Sequence, residues 1–130
     1  MKIDRELPVS AAAGGMARET LDGWLTDLVG EETAANARIA ATEIVANAVR
    51  HGGLRAADVI HLSGVATDDV VRVEFEQPSS AAGARVVPLG ERDPDDGGFG
   101  LRIVQEVSTR WGVREGPPGV VWFEVDRDTR

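Results

Sequence analysis

The hydrophobic period changes several times along the chain, and each change marks an element. Ala17, Leu21, Trp24, Leu25 and Leu28 fall at steps of four, three, one and three residues, which is one apolar face of a helix. Ser10 stands where a capping hydroxyl would open it and Gly30 where a helix would stop, while Gly14 and Gly15 loosen its first turn. From Glu32 to Arg50, Ala, Ile and Val dominate nearly every side, so this second helix is expected to be the more buried one. The period then drops to two. Val71, Val73 and Phe75 alternate with Arg72, Glu74 and Glu76, the signature of a half-buried strand. With Val59 to Val65 and the turn Ala66-Thr67-Asp68-Asp69, it predicts an antiparallel hairpin.

Ile3 to Leu7 predicts a short strand closed by Pro8. Arg110 to Arg114 and Val120 to Val125, joined through Pro117-Pro118-Gly119, predict two closing strands. A third helix begins just after Gly98-Phe99-Gly100 and carries Leu101, Ile103, Val104 and Val107. The stretch before it, Ser79 to Gly97, has no periodicity and is rich in Gly, Pro, Ser and acid. About 19 such residues inside a compact domain are either a functional lid or simply disordered, and a lid is the favoured expectation. The simplest architecture is a two-layer α/β sandwich, with about three helices on one face of a mixed, mostly antiparallel sheet. Residues 1–130 are expected to form one domain.

Composition narrows the classes. With 130 residues, 42% hydrophobic and 28% charged, the chain is sized for one core. It has no cysteine, which excludes disulfides, thiolate catalysis and thiolate zinc sites. No apolar run approaches the roughly 18 residues needed to span a bilayer, and the N-terminus lacks a secretory pattern. A soluble cytoplasmic protein is the expectation. Asp and Glu number 22 against 14 Lys and Arg, a formal charge of -8. Such a surface repels nucleic acid and anionic lipid; it suits a basic protein partner, or solubility alone.

Glu43 and Asn47 are four apart on the second helix, so they share a face, with His51 one turn further on. Polar groups on an apolar helix need partners, since an unsatisfied buried amide costs about 1–3 kcal/mol. An Asn carbonyl is a fair ligand for magnesium, which takes few protein oxygens and completes its shell with water and phosphate. A carboxylate one turn away can orient or deprotonate a hydroxyl. The same spacing also serves a purely structural pair. Gly97-Gly98-Phe99-Gly100-Leu101 opens the third helix, where glycines admit close approach and free amides favour phosphate. No Gly-Lys-Ser/Thr follows and no strand directly precedes, so neither the P-loop nor the dinucleotide fingerprint is present. A flexible hinge is the plainer reading of these glycines.

Taken together and in this order, the two segments say more. The run from Glu43 through Asn47 to His51 resembles the N box of the gyrase, chaperone and histidine-kinase ATP-binding superfamily, with its nearest likeness in the anti-sigma-factor serine kinases. Gly98 to Val104 resembles that family's second glycine box, and Arg110-Trp111-Gly112-Val113 fits its ending. The likeness covers nearly the whole chain. It implies a Bergerat ATP-binding fold with ATP and Mg2+ as cofactors. Asn47 would hold the magnesium. Glu43 would be catalytic, activating water or a substrate serine. Gly98, Gly100 and Leu101 would lie along the phosphates under the lid. No role follows for His51. The resemblance also implies an anti-sigma factor with a serine/threonine protein kinase site. Its partners would be a sigma factor and an anti-anti-sigma protein, and it would pair as a homodimer through the first strand and helix.

The pattern breaks at one point. The family ends its middle strand on an aspartate that accepts a hydrogen bond from adenine, followed by glycines. Here the stretch runs from Val73 to Ser80. Alternation places Gln77 on the core face with Val73 and Phe75, and Glu76 on the other, so Gln77 holds the adenine position. Pro78, Ser79 and Ser80 replace the glycines. Exchanging a charged hydrogen bond (about 1.5–3 kcal/mol) for a neutral one (about 0.5–1.5 kcal/mol) lowers ATP affinity by on the order of one decade. Two readings stay open: an ATP-dependent serine kinase, or a partner-sequestering module with weak or no nucleotide binding. The catalytic half of a histidine kinase fits less well, because no helix presenting a phosphoacceptor histidine precedes the ATP domain. His51 and His61 lie within the fold itself.

Overall fold

A computed structural model describes residues 1–51, 53–78 and 98–127. In chain order the elements are β1 (Lys2–Pro8), α1 (Ala13–Leu25), α2 (Glu31–His51), β2 (Val59–Ala66), β3 (Val70–Gln77), α3 (Gly98–Val107), β4 (Arg110–Arg114) and β5 (Gly119–Asp126). The strands form one five-stranded sheet in the order β1-β2-β3-β5-β4. All its ladders are antiparallel, so no parallel pair joins the described sheet where a mixed one was allowed. The three helices lie on one face, with α2 in the middle, packed against α1 on one side and α3 on the other. This is the two-layer sandwich expected from the periodicities. The expected lid, 79–97, lies outside the described residues.

Alternation decides what enters the core. On β3, Val71, Val73, Phe75 and Gln77 are buried under the helices while Glu76 is exposed. Val121, Phe123 and Val125 of β5 meet them, with the Phe75 and Phe123 rings 6.4 Å apart. From above come Leu21 and Trp24 of α1, Ala37, Ala41, Ile44 and Ala48 of α2, and Leu101 and Val104 of α3. The alanines keep the central helix close to the sheet. Gly64 of β2 is needed for the same reason: a Cβ there would stand 2.8 Å from the Trp24 ring. The opposite face of the sheet is charged. There the Arg72 guanidinium sits 4.2 Å over the Trp122 ring and bonds Glu74 and Glu124 at 3.0 and 2.9 Å.

Two helix ends differ from expectation. Ser10 does not cap α1, which starts at Ala13 without a side-chain cap. Its Oγ accepts the Ala12 amide at 3.2 Å and its carbonyl accepts that of Ala13 at 3.1 Å, so it builds a turn ahead of the helix. At the other end α1 stops at Leu25. The Leu28 and Val29 amides both turn back to the Leu25 carbonyl, leaving Leu28 in a turn, packed against the core. Gly30 opens α2 rather than closing α1, because its carbonyl accepts the Ala34 amide at 3.0 Å. Glu31 and Glu32 in the first turn and Arg50 and His51 in the last suit the dipole of α2. No helix among the described residues is long and apolar enough to cross a membrane.

Candidate functional site

The two flanks of α2 face different neighbours. Residues of a helix advance by about 100° each, which separates Thr42, Val45 and Val49 from Glu43 and Asn47. The first three line a groove shared with α1. Glu43 and Asn47 therefore fall on the flank of α3. Both are half-buried, and no described residue supplies either with a hydrogen bond or an ion pair. A structural pair bonded to each other is thus not what forms. The carboxylate and the amide are left available to something else.

α3 begins at Gly98 and takes both glycines into its first turn, instead of starting after Gly100. The amides of its first four residues, Gly98 to Leu101, have no partner within the helix. They form its positive end, and that turn holds no acidic residue. Leu101 is the exception among the residues expected to touch nucleotide. Its side chain is 1% exposed and belongs to the core, so only its backbone is free to serve a ligand.

Gln77 ends β3 on the helix face and is 6% exposed, one of three buried polar residues in the described chain. Its cross-strand partner is Gly119, which puts no side chain beside it. Glu76, paired with Val120, points away from the helices, as the alternation required. Under this end of the sheet a hollow of about 400 Å³ is lined by Glu6, His61, Glu76, Gln77, Pro78 and Pro118, among others. His61 is hydrogen-bonded to Asp4. That bond raises its pKa above the ordinary imidazole value; burial opposes the rise, and the charges of Asp4, Glu76 and Glu6 support it.

A family model described as a histidine kinase-like ATPase domain matches residues 7–123. The chain belongs to that family. The matched range holds Glu43, Asn47, Gln77, Gly98 and Gly100. This ATPase domain is also similar in fold to the histidine kinase domain from the Erythrobacter litoralis EL346 blue-light activated histidine kinase, with a TM-score of 0.55 and 21% identity. The similarity covers 91% of this chain and 60% of that one, so the ATPase domain spans less than two thirds of that chain's length. No curated protein matches the sequence. Membership implies ATP as the ligand, and the residues fit it. A free side-chain oxygen on α2 suits a hard cation, an acid-free helix start suits phosphate, and a buried amide at the strand end suits a base.

Sequence reasoning missed one feature. Arg18 and Arg50, from different helices, line the same groove between α1 and α2. Only their proximity in space signals it.

Proposed function

We propose that this ATPase domain binds Mg-ATP and acts as an anti-sigma factor of the serine-kinase type, phosphorylating an anti-anti-sigma protein and alternately holding a sigma factor inactive. The observation that carries the reading is the pair Glu43 and Asn47, without a partner among the described residues and on the flank of α2 that faces α3. ATP, when bound, supplies the phosphoryl group, and magnesium offsets its charge. The Asn47 side-chain oxygen would be one ligand for the metal. The amides of Gly98 and Gly100 would donate to the phosphates at the start of α3. Glu43 would orient the serine hydroxyl of the partner and take its proton, the phosphoryl group passing from ATP to that oxygen and ADP leaving. Gln77 meets the base, its carbonyl accepting from the exocyclic amine and its NH2 donating to the adjacent ring nitrogen. A homodimer joined through β1 and α1, working in the cytoplasm, completes the proposal.

The buried Gln77, followed by Pro78 instead of glycine, favours a second reading: a sequestering module that uses nucleotide weakly or not at all. Two measurements separate them. Phosphate transfer from radiolabelled ATP to a purified anti-anti-sigma protein is expected from the native chain and absent from Glu43→Ala. Equal transfer by both removes the kinase. Calorimetry with Mg-ATP is expected to show binding, and none up to millimolar nucleotide leaves the module alone.

A further inference from the structure

β1 ends the described sheet on one side, and of its seven residues only Leu7 is buried. A segment that buries so little opens at a lower free energy than the core does. Besides its ladder to β2, β1 is held by few groups. Arg5 donates to Thr20 of α1 at 3.1 Å, and ahead of the strand the Met1 ammonium donates to the Ala66 carbonyl at 3.1 Å. On the solvent face one more link crosses from β2, the hydrogen bond between His61 and Asp4.

The surroundings of His61 make that link depend on charge. The strand registers place Glu6, His61 and Glu76 in one row across β1, β2 and β3, where side chains directly opposite interact. Asp4 follows Glu6 on the same face of β1, and Glu74 follows Glu76 on β3. Glu74 is already bound to Arg72, at 3.0 Å. Asp58, just before β2, lines one hollow with Glu6, His61 and Glu76 and accepts the Arg55 amide at 2.7 Å. No lysine or arginine is among the described residues lining that hollow. Lys2 stands at the far end of β1 opposite Val65, and Arg5 is turned to α1. The imidazole is therefore the group in the hollow able to carry positive charge among these acids. Charged, it binds Asp4 and offsets Glu6 and Glu76. Neutral, it leaves carboxylates on neighbouring strands to repel one another. The Asp4 hydrogen bond, against burial and with the charges of Asp4, Glu76 and Glu6, favours the charged ring, so the change falls above the ordinary imidazole value of about 6.5.

We propose that His61 is a pH-sensitive latch for β1: the charged imidazole holds the strand through Asp4 and the acidic row, and its deprotonation lets β1 open from β2, uncovering Leu7 and the β2 edge. The latch uses neither Glu43, Asn47 nor nucleotide, so its test is independent of the ATP reading. The experiment is amide hydrogen exchange on the isotope-labelled full chain from about pH 6 to 9, read as protection relative to the intrinsic rate at each pH, with the His61 ring signals titrated in the same samples. The β1 amides bonded to β2 are expected to be less protected than those of β3 and β5 at every pH, marking an opening of their own. Their protection falls about threefold as pH rises, with the same midpoint as the His61 ring. His61→Gln gives low protection of β1 with no such fall, and His61→Lys keeps it high across the range. His51→Gln, at the other of the two histidines, leaves the fall intact. Glu6→Gln and Glu76→Gln each move the midpoint to lower pH. The proposal is overturned if the β1 amides are as protected as those of β3 and β5, if the fall and the ring titration have different midpoints, or if His61→Gln, native by circular dichroism, retains the fall.

Discussion

Gly64 lies under the Trp24 indole with no room for another carbon, since an added Cβ would meet the ring at 2.8 Å and the Ile3 side chain at 3.0 Å. Trp24 is itself 9% exposed and wedged into the core, so it has little freedom to move aside. Gly64→Ala is therefore expected to destabilise by about 1–3 kcal/mol, read as a lower denaturant midpoint with an unchanged slope. Gln77 poses a different single-residue question. An aspartate at that site would accept from a base amine with a full charge. If Gln77 meets the base, Gln77→Asp raises Mg-ATP affinity about tenfold in calorimetry. Unchanged affinity would place the base elsewhere. The substitution also buries a carboxylate at a site 6% exposed, so the free protein should melt lower while the ATP-bound one recovers.

At the scale of elements, α1 carries more glycine than a helix needs. Gly23 is exposed in its interior, and a Cβ built there meets nothing within 4 Å. Gly23→Ala should stabilise the protein by about 0.5–1 kcal/mol, because alanine loses less backbone freedom on folding. A thermal melt checks this, and a lower melting point would mean the helix end needs that flexibility. Gly14 and Gly15 are unlike Gly23 because the Arg18 guanidinium rests on them. The start of α3 follows a similar logic, with glycines placed in a first turn whose amides have no partner within the helix.

For the whole molecule, the charged face of the sheet sets the pH response. His61 joins β2 to the edge strand β1 through Asp4, and its pKa is raised in the folded state. Its contribution is fully present below the unfolded imidazole value, about 6.5, and is lost as pH rises through the higher folded value. Glu124 is the reverse case. The Arg110 hydrogen bond holds its carboxyl below the ordinary range against the opposing effect of burial, with Arg72 assisting. Its contribution is present above the unfolded value, about 4.3, and is lost as pH falls through the folded one. Melting temperature should then peak on the mildly acidic side. His61→Gln is expected to flatten the decline toward alkaline pH and Glu124→Gln the decline toward acid. Parallel curves for variant and native protein would remove either residue from the account.

Much of this was legible without coordinates, where local periodicity leaves one choice. Once Val73 and Phe75 are inside, a period of two forces Gln77 inward and Glu76 outward, and the structure agrees. Four-residue spacing likewise puts Glu43 and Asn47 on one face of α2. The ends of α1 were not legible. Ser10 and Gly30 have the right chemistry for caps, but the chain uses them for a turn and for the next helix, because Leu28 finds its burial outside α1. Strand order, the flank of α2 that meets α3, and the groove that Arg18 and Arg50 both line were decided by the fold alone. Each depends on which elements become neighbours, and that is chosen by burying the whole apolar surface at once rather than by any one segment.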